Sequence, residues 1–582
     1  MKNRNKKGFI SFLISLYRPF WVWTSIMILA MISYRFIQVF MNSIFKDIVD
    51  LISNGGFNVN SVERQIIFLC LIMVMSNLLE QLSHYARMVK LLKNQQSYII
   101  GKLFNDLRMK SYNFFTNNQS GKISASITQV SSIVVDLNQQ LAKRFVISMS
   151  ALVSVNFFMY TINKKIFMIV FFYSVISVLV RILYFNKYWI GHIKNAEIMQ
   201  RTHIGILNDA VTNIVPLKIY NAIKKYSRKV KTSKDGSLSE EGKANKIELQ
   251  YYVYIETISN AIFIFFTMKY ALNLYSIADM TMGELVFIFT TIITVGSAIG
   301  QLCWGYILIA ECLVKLKSSY DLLYEDVEIF EENSQELKVN DGVIEFNDIT
   351  FKYEKEKILN GFNLKISKGE SLGIIGESGS GKTTLNNLLF RFYDPDKGQI
   401  KIDGQDIKEY SRESLYKNAT YVPQETILLH TTIYENIKIA KSDATDEEIY
   451  MAAKKAEIHE FILDLPNGYD TVVGERGIKL SGGQRQRIAL TRIFLRDSKI
   501  IVFDEATSAL DNKTEFKVQD SIDKYFKDKT IICIAHRLSS LENMDRIIVL
   551  DKGKIVDEDK PSIIIEKHSK SEFAKIKDME KV

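Results

Sequence analysis

Hydrophobic and polar positions divide the chain into two parts with different rhythms. Between residues 20 and 315 the apolar residues come in long runs separated by polar connections, whereas residues 336–582 show the shorter runs of an ordinary α/β protein. A helix needs about 20 mostly apolar residues to cross a bilayer. Six stretches approach or meet that length: 20–45, 65–88, 140–161, 166–188, 251–275 and 284–311. The connections between them are unequal. Residues 89–139 and 189–250 are long, polar and helical in pattern, with too few apolar positions for a core of their own. They read as helices that continue past the bilayer into the cytoplasm.

Lys2, Arg4, Lys6 and Lys7 precede the first apolar run, which places the N-terminus in the cytoplasm by the positive-inside rule. Six spans then return the C-terminal part to the same side, as in a multi-pass protein of the plasma (inner) membrane. Lys164 and Lys165, in a short outer loop, run against this topology. The basic start resembles that of a signal peptide, but the run behind it is too long and no small-x-small cleavage site comes after it, so a retained anchor is expected. With the first run opening near residue 20, no leader-cleaving peptidase domain is expected ahead of it.

Five charges fall inside the spans: Arg35, Glu80, Arg181, Glu256 and Lys269. Charge at that depth faces protein or a wet cavity, because lipid cannot solvate it. Two readings are open. Either the charges pair between helices, for instance Arg181 with a glutamate, or they line a substrate cavity.

Composition changes this picture little. A length of 582 residues exceeds one compact domain, so at least two are expected. The net charge of +9 raises the question of nucleic acid. The basic residues, however, are spread over loops and tails without an aromatic RNA-binding motif, so no nucleic-acid partner is expected. Cys70, Cys303, Cys312 and Cys533 form no C-x-x-C pair and read as small core residues.

The chemistry lies in the second part. After the polar linker "ENSQELKVNDG", strand patterns begin at Val343, and "SLGIIGESGSGKTTLNNLLFRFY" gives an apolar strand, a glycine loop and an amphipathic helix. Gly376, Gly381, Lys382 and Thr383 satisfy G-x-x-x-x-G-K-[ST] in the strand–loop–helix context that supports a phosphate-binding loop. Glycines let the backbone wrap phosphates, and the helix N-terminus adds a positive dipole. Lys382 is expected to reach the β- and γ-phosphates and Thr383 to bind Mg²⁺. In "SKIIVFDEATSALD", residues 500–503 read as a buried parallel strand. Asp504 at its end can hold Mg²⁺, and Glu505 is placed to polarise an attacking water. His536 comes after a third apolar strand, "TIICIAHRL", where an open α/β sheet binds ligands. Gln424 in "YVPQ" suggests a Mg²⁺ or water ligand, and Tyr353 in "FKYEKEKIL" an aromatic platform for adenine.

These motifs, in this order, resemble the ATP-binding cassette family, and the whole chain resembles a bacterial half-size ABC exporter: an α-helical six-span domain over 1–335, then an α/β P-loop nucleotide-binding domain over 336–582. "FKY" resembles the adenine-stacking loop, "GESGSGKT" the Walker A motif, "YVPQ" the Q-loop and "TVVGERG" the exporter-specific cytoplasmic-contact loop. "LSGGQ" resembles the family signature, "IIVFDE" the Walker B strand, "SALD" the D-loop and "AHR" the switch-histidine loop. The resemblance implies ATP and Mg²⁺ as cofactors. It assigns nucleotide contacts to Tyr353, Gly376, Glu377, Ser378, Gly379, Ser380, Gly381, Lys382, Thr383 and Thr384. It adds Ser481, Gly482, Gly483 and Gln484 of the signature and Asp511 of the D-loop, with Thr383, Gln424 and Asp504 at the metal and Glu505, His536 and Gln424 in catalysis. Thr491 and Ser498 depart from the family pattern, where a small apolar residue and a proline are usual.

The resemblance also implies coupling helices near 117–121 and 220–225. It implies a partner, because the signature lacks a lysine and completes the site of a second subunit, here a homodimer with a heterodimer possible. The expected function is ATP-driven export or leaflet flipping of an amphipathic drug, lipid or peptide, with thiol conjugates a further option. The alternative is an ATP-gated channel or regulatory membrane subunit on the same fold.

Overall fold

A computed structural model describes residues 8–53, 59–118, 120–324, 335–353, 356–507, 509–535 and 541–568. The chain forms two compact units, Met1–Lys110 with Phe114–Glu328, and Ser111–Asn113 with Ile329–Val582.

The first unit is helical. Among the described residues, five helices are long and apolar enough to cross a membrane: Phe9–Ser53, Val59–Arg108, Ser120–Ile162, Lys164–Tyr188 and Met282–Tyr324. The expected sixth span, 251–275, differs from them. It is helical throughout, as a π segment Tyr251–Glu256 followed by the α-helix Thr257–Ser276, but Asn260, Lys269 and Asn273 interrupt its apolar run. Its Phe263, Ala271 and Leu274 nevertheless pack into one core with Val155, Ile166 and Phe287.

The long polar connections are helices, as their pattern indicates: Lys93–Arg108, Ser120–Gln140, Ile190–Thr212 and Ile223–Gln250. Short helices sit at their turns. One is Tyr112–Asn117, just ahead of the expected 117–121, of which Gln119 lies outside the described residues. The other is Ile214–Ile219, ahead of the expected 220–225. Asn221 takes a left-handed φ of 51° and breaks the helix there, so 220–225 holds a turn and the start of the next helix.

The five intramembrane charges separate. Arg181 is 1% exposed, pairs with Glu256, and donates through Nη1 to the Ile299 carbonyl at 3.3 Å. Its guanidinium lies 4.6 Å from the centre of the Tyr251 ring. Gly300 leaves room for the carboxylate, since a Cβ there would stand 2.8 Å from Glu256 Oε1. Arg181 and Glu256 therefore staple three helices together. Arg35 instead donates to Gln38 on its own helix, and Glu80 and Lys269 are exposed in the single chain.

The second unit carries two sheets. The antiparallel one has the order β2-β1-β4-β5, from β1 (Ile344–Tyr353), β2 (Glu356–Ile366), β4 (Lys397–Ile402) and β5 (Gln405–Asp406). The other has the order β10-β9-β3-β8-β7-β6, from β3 (Ser371–Gly376), β6 (Ala419–Val422), β7 (Ile500–Asp504), β8 (Thr530–Ile534), β9 (Arg546–Asp551) and β10 (Lys554–Asp559). All pairings in it are parallel except β10 with β9. Every residue of β7 is buried, which accounts for its unbroken apolar run.

Asp403 fixes the entry to β1. It accepts from the backbone N–H groups of Asn340 (2.8 Å), Asp341 (3.0 Å) and Val343 (2.8 Å). Burial pushes its carboxyl up, but these donors outweigh burial and hold it below the usual range.

Both anchors can be tested through stability. Glu256→Gln leaves the Arg181 charge buried and unpaired and should cost about 3 kcal/mol; the double variant Arg181→Met/Glu256→Gln should recover most of it in melts of the purified protein. Asp403→Asn should speed amide exchange at residues 340–343 at neutral pH. Because the folded carboxyl is depressed, its stabilisation is present above the unfolded value of about 3.9 and lost as pH falls through the lower folded one. The difference between wild type and Asp403→Asn should shrink over that acidic window.

Candidate nucleotide site

The parallel ladder β3-β8-β7-β6 aligns the C-terminal ends of four strands, the edge where such sheets bind ligands. Ile374 pairs with Ile534, Ile534 with Asp504, and Phe503 with Val422, so the strand ends stand almost level. The loops leaving these strands are thereby delivered to one place: the glycine loop after β3, Glu505 after β7 and Gln424 two residues past β6. His536 comes after β8 and lies outside the described residues, as does Ser508 of "SALD".

The glycine loop leads into the helix Lys382–Leu389, whose N-cap, Gly381, has a φ of 108° that a side chain would strain. Glu377, Ser378 and Gly379 form an exposed rim, while Gly376, Ser380, Lys382 and Thr384 are buried. Lys382 Nζ folds back over the loop and donates to the Gly376 carbonyl at 2.6 Å and the Glu377 carbonyl at 2.8 Å. Burial lowers its pKa, opposed by the charges of Glu505 and Asp504. Ser380 Oγ is buried without a hydrogen-bond partner. Thr383 is exposed on the first turn of the helix.

Asp504 is buried at the end of β7, and burial raises its pKa. Tyr421, on β6, opposes that shift by donating its hydroxyl to Asp504 Oδ2 at 2.9 Å. Glu505 leaves the strand with a left-handed φ of 51°, a conformation that costs a non-glycine residue about 1 kcal/mol. Its N–H still donates to the Ile534 carbonyl at 2.9 Å, which fixes the turn. The carboxylate then meets Gln424, whose Nε2 donates to Glu505 Oε2 at 2.7 Å. That bond orients the amide and leaves Gln424 Oε1 as an oxygen donor.

Tyr353, at the end of β1, is tied to the loop helix: Asn387 Nδ2 donates to its hydroxyl at 3.0 Å. Its ring packs edge-on against Phe351 and Tyr393.

The signature residues do local work. Ser481 caps the helix Gly482–Leu495 in a reciprocal box, with Gln484 N donating to Ser481 Oγ at 3.2 Å and Ser481 N donating to Gln484 Oε1 at 2.8 Å. Gly483 is required by a close approach, since a Cβ there would stand 2.9 Å from the Ala509 carbonyl. Asp511 caps the helix Asn512–Tyr525, accepting from Thr514 N at 3.0 Å. Gln424, Glu505 and Asp504 thus meet the glycine loop at one sheet edge, whereas the bonds of Ser481 and Asp511 run to their own helices.

Two residues with evident roles were not singled out in the sequence. Tyr421 is the first, and only its position on a strand beside β7 reveals it. The second is Gln486, buried on the signature helix. Its Nε2 donates to the Glu505 carbonyl at 3.4 Å, and its Oε1 accepts from Ala509 N at 3.0 Å. It joins the signature helix to the segment after β7, two stretches that sequence spacing does not relate. Thr491 and Ser498, the two departures, are buried and bonded to the Arg487 carbonyl (2.8 Å) and to Thr420 (2.5 Å).

The residues fit a magnesium nucleotide. A hydroxyl (Thr383), an amide oxygen (Gln424) and a carboxylate (Asp504) make the all-oxygen donor set that Mg²⁺ takes. The unpartnered Ser380 hydroxyl lies in a loop built for phosphate oxygens.

Comparison with known proteins agrees with this geometry. Residues 359–508 match the model of the ABC transporter family. An uncharacterized ABC transporter ATP-binding protein of Haemophilus influenzae is 52% identical over 228 residues, 38% of this chain and 37% of that protein. An ATP-dependent lipid A-core flippase of Desulfotalea psychrophila is 51% identical over 215 residues, 37% of this chain and 38% of that protein. The chain therefore matches less than two fifths of the length of these curated relatives. Among solved structures, that of a bacterial Atm1-family ABC exporter with ATP bound is similar along nearly the whole chain. It has a TM-score of 0.85 and 25% identity, over 98% of this chain and 99% of that one.

Gln486→Leu should cut these two bonds, lower the melting temperature by an amount equivalent to about 2 kcal/mol, and leave the affinity for a fluorescent ATP analogue within twofold. An unchanged melting temperature would show that the link is idle.

Proposed function

For this chain, which has the architecture of a half-size ABC exporter, we propose ATP-driven export or leaflet flipping of an amphipathic substrate by an alternating-access dimer. The observation that carries the reading is the pairing of Gln424 with Glu505 at the mouth of the glycine loop, because it prepares a general base where a γ-phosphate would end. Lys382 binds the β- and γ-phosphates after releasing the loop carbonyls it now holds. Thr383, Gln424 and Asp504 would hold Mg²⁺, which supplies charge neutralisation on the phosphates. Glu505 takes the proton of the attacking water, and His536 contacts the γ-phosphate and orients that water. Tyr353 supplies the platform for adenine.

The second copy enters through the signature. Ser481 and the Gly482 and Gly483 N–H groups occupy the positive end of a 14-residue helix, with one capping box already satisfying two groups. Such an end has donors to spare for a phosphate, and in this reading that phosphate is bound to Lys382 of another chain. ATP then prefers the closed pair of cassettes, and that difference in affinity is the only source of coupling to the helices. Tyr112–Asn117 and Ile214–Ile219 are the short elements we assign as coupling helices. The N-terminus and both cassettes face the cytoplasm across the plasma membrane. The lipid A-core flippase and the Atm1-family exporter among the similar proteins favour an exporter over a channel or a regulatory subunit.

Three measurements test the proposal. Glu505→Gln should retain ATP binding while turnover falls at least about 100-fold, the scale expected when a general base is lost; a normal rate would remove the base assignment. Lys382→Ala should weaken ATP binding at least about tenfold. Lys382→Ala and Ser481→Arg chains should each be inactive alone. Reconstituted together they should regain up to about one quarter of wild-type turnover, since random pairing makes half the dimers mixed and gives each one intact site. No regain would exclude a site shared between copies.

A further inference from the structure

Arg87 is the unexplained cation of the helical unit. It is 5% exposed, its Nε has no hydrogen-bond partner, and among the described residues no carboxylate pairs with it. It continues the buried stripe of Ile72, Ser76 and Ser83 along the helix Val59–Tyr85. Burying a guanidinium without a counter-charge is costly, and inside a membrane unit it marks a function more often than a packing need.

Among the described residues the surroundings add more positive charge, and no carboxylate pairs with any of it. Arg87 lies on the π segment Ala86–Leu92, and Lys143 and Arg144 lie on the π segment Leu141–Val146. Ala86 and Leu91 of the first segment and Ala142 of the second share one apolar cluster with Met27 and Met31. Lys143, which is exposed, stands close enough to Arg87 and Arg144 to feel both as like charges. Lys90 lies 5.5 Å from the centre of the Trp23 ring, and the Arg144 guanidinium 3.9 Å from that of Trp304. Lys90 and Arg144 therefore have aromatic faces as partners, and the Arg144 Nε also donates to Gln140 Oε1 at 3.0 Å. Wide π turns inside long helices are frequent at functional sites, and here two of them carry the cluster.

We propose that Arg87 and Lys143 form the anion-binding end of a site for an amphiphile bearing a phosphate or carboxylate. Arg87 supplies a guanidinium on a largely buried side chain, the group that a phosphate or carboxylate takes in two parallel hydrogen bonds. Lys143 stands on the exposed side, and the half-buried Trp23 and the exposed Trp304 offer aromatic surface to the attached chain. This deepens the export reading by naming the substrate's charge, and rests on that reading only for the word substrate. The same chemistry occurs in a bound phospholipid headgroup.

The test uses the full-length protein in phosphatidylcholine nanodiscs without ATP, read by the intrinsic fluorescence of its four tryptophans. Decyl phosphate should bind saturably, about tenfold more weakly to Arg87→Gln and severalfold more weakly to Lys143→Gln. Decyltrimethylammonium should show no such dependence. Arg87→Gln should melt no lower than wild type, because it removes an unpaired buried charge. If decyl phosphate is handled as a substrate, trapping with ATP and vanadate should weaken its binding. If the site holds a lipid headgroup, phosphatidylglycerol nanodiscs should compete with it and trapping should leave it unchanged. Equal binding of decyl phosphate to wild type and both variants would overturn the proposal, as would a lower melting temperature in Arg87→Gln with binding intact. Neither result depends on ATP turnover, so failure of the ATPase reading remains separately visible.

Discussion

The hydrogen-bonded parallel ladder β3-β8-β7-β6 is the constraint on which the catalytic half depends. The glycine loop, Asp504, Glu505 and Gln424 each sit at or just past a strand end, and strands paired in parallel present all their C-terminal ends on one side. Moving one strand by two residues along its neighbours would carry its loop about 7 Å away, beyond any hydrogen bond between Gln424 and Glu505. The fully buried apolar run of β7 is what holds that register, because a slip would trade buried contacts for voids.

Within that frame the site is held under modest strain. Glu505 adopts a left-handed backbone, and the loop lysine is bonded to two carbonyls that phosphates would replace. Non-glycine residues in such conformations persist where the surroundings over-determine them. Here the Ile534 carbonyl and the Gln486 amide grip the backbone on either side of the Glu505 side chain. The glutamate side chain is thereby aimed without any nucleotide, so in the role of base proposed above it would cost little reorganisation.

The helical unit solves a different problem. Lipid offers no hydrogen bonds, so its polar groups must satisfy one another or bind something else. Arg181 with Glu256, and Asn138 with Gln95, take the first route. Arg87 does not take the first route with any described residue, which separates it from the charges that serve folding. In the single chain, apolar side chains of Val59–Tyr85 such as Leu71, Val74 and Leu78 are exposed, as expected for a surface that meets lipid or another copy.

The residues themselves determined the division into a membrane part and a nucleotide part, the glycine loop, Asp504 with Glu505, and the apolar strands behind them. These are local features: a spacing fixes a turn, and an unbroken apolar run fixes a buried strand. Arg181 and Glu256 illustrate the boundary, since the sequence allowed both a pair and a cavity lining for residues 75 apart, and only the packing of three helices joined them. The place of the second short helix and the parts played by Tyr421, Gln486 and Arg87 were likewise decided by tertiary structure. Each depends on which distant surface a side chain meets, and that is a property of the packed chain, which no periodicity or spacing encodes.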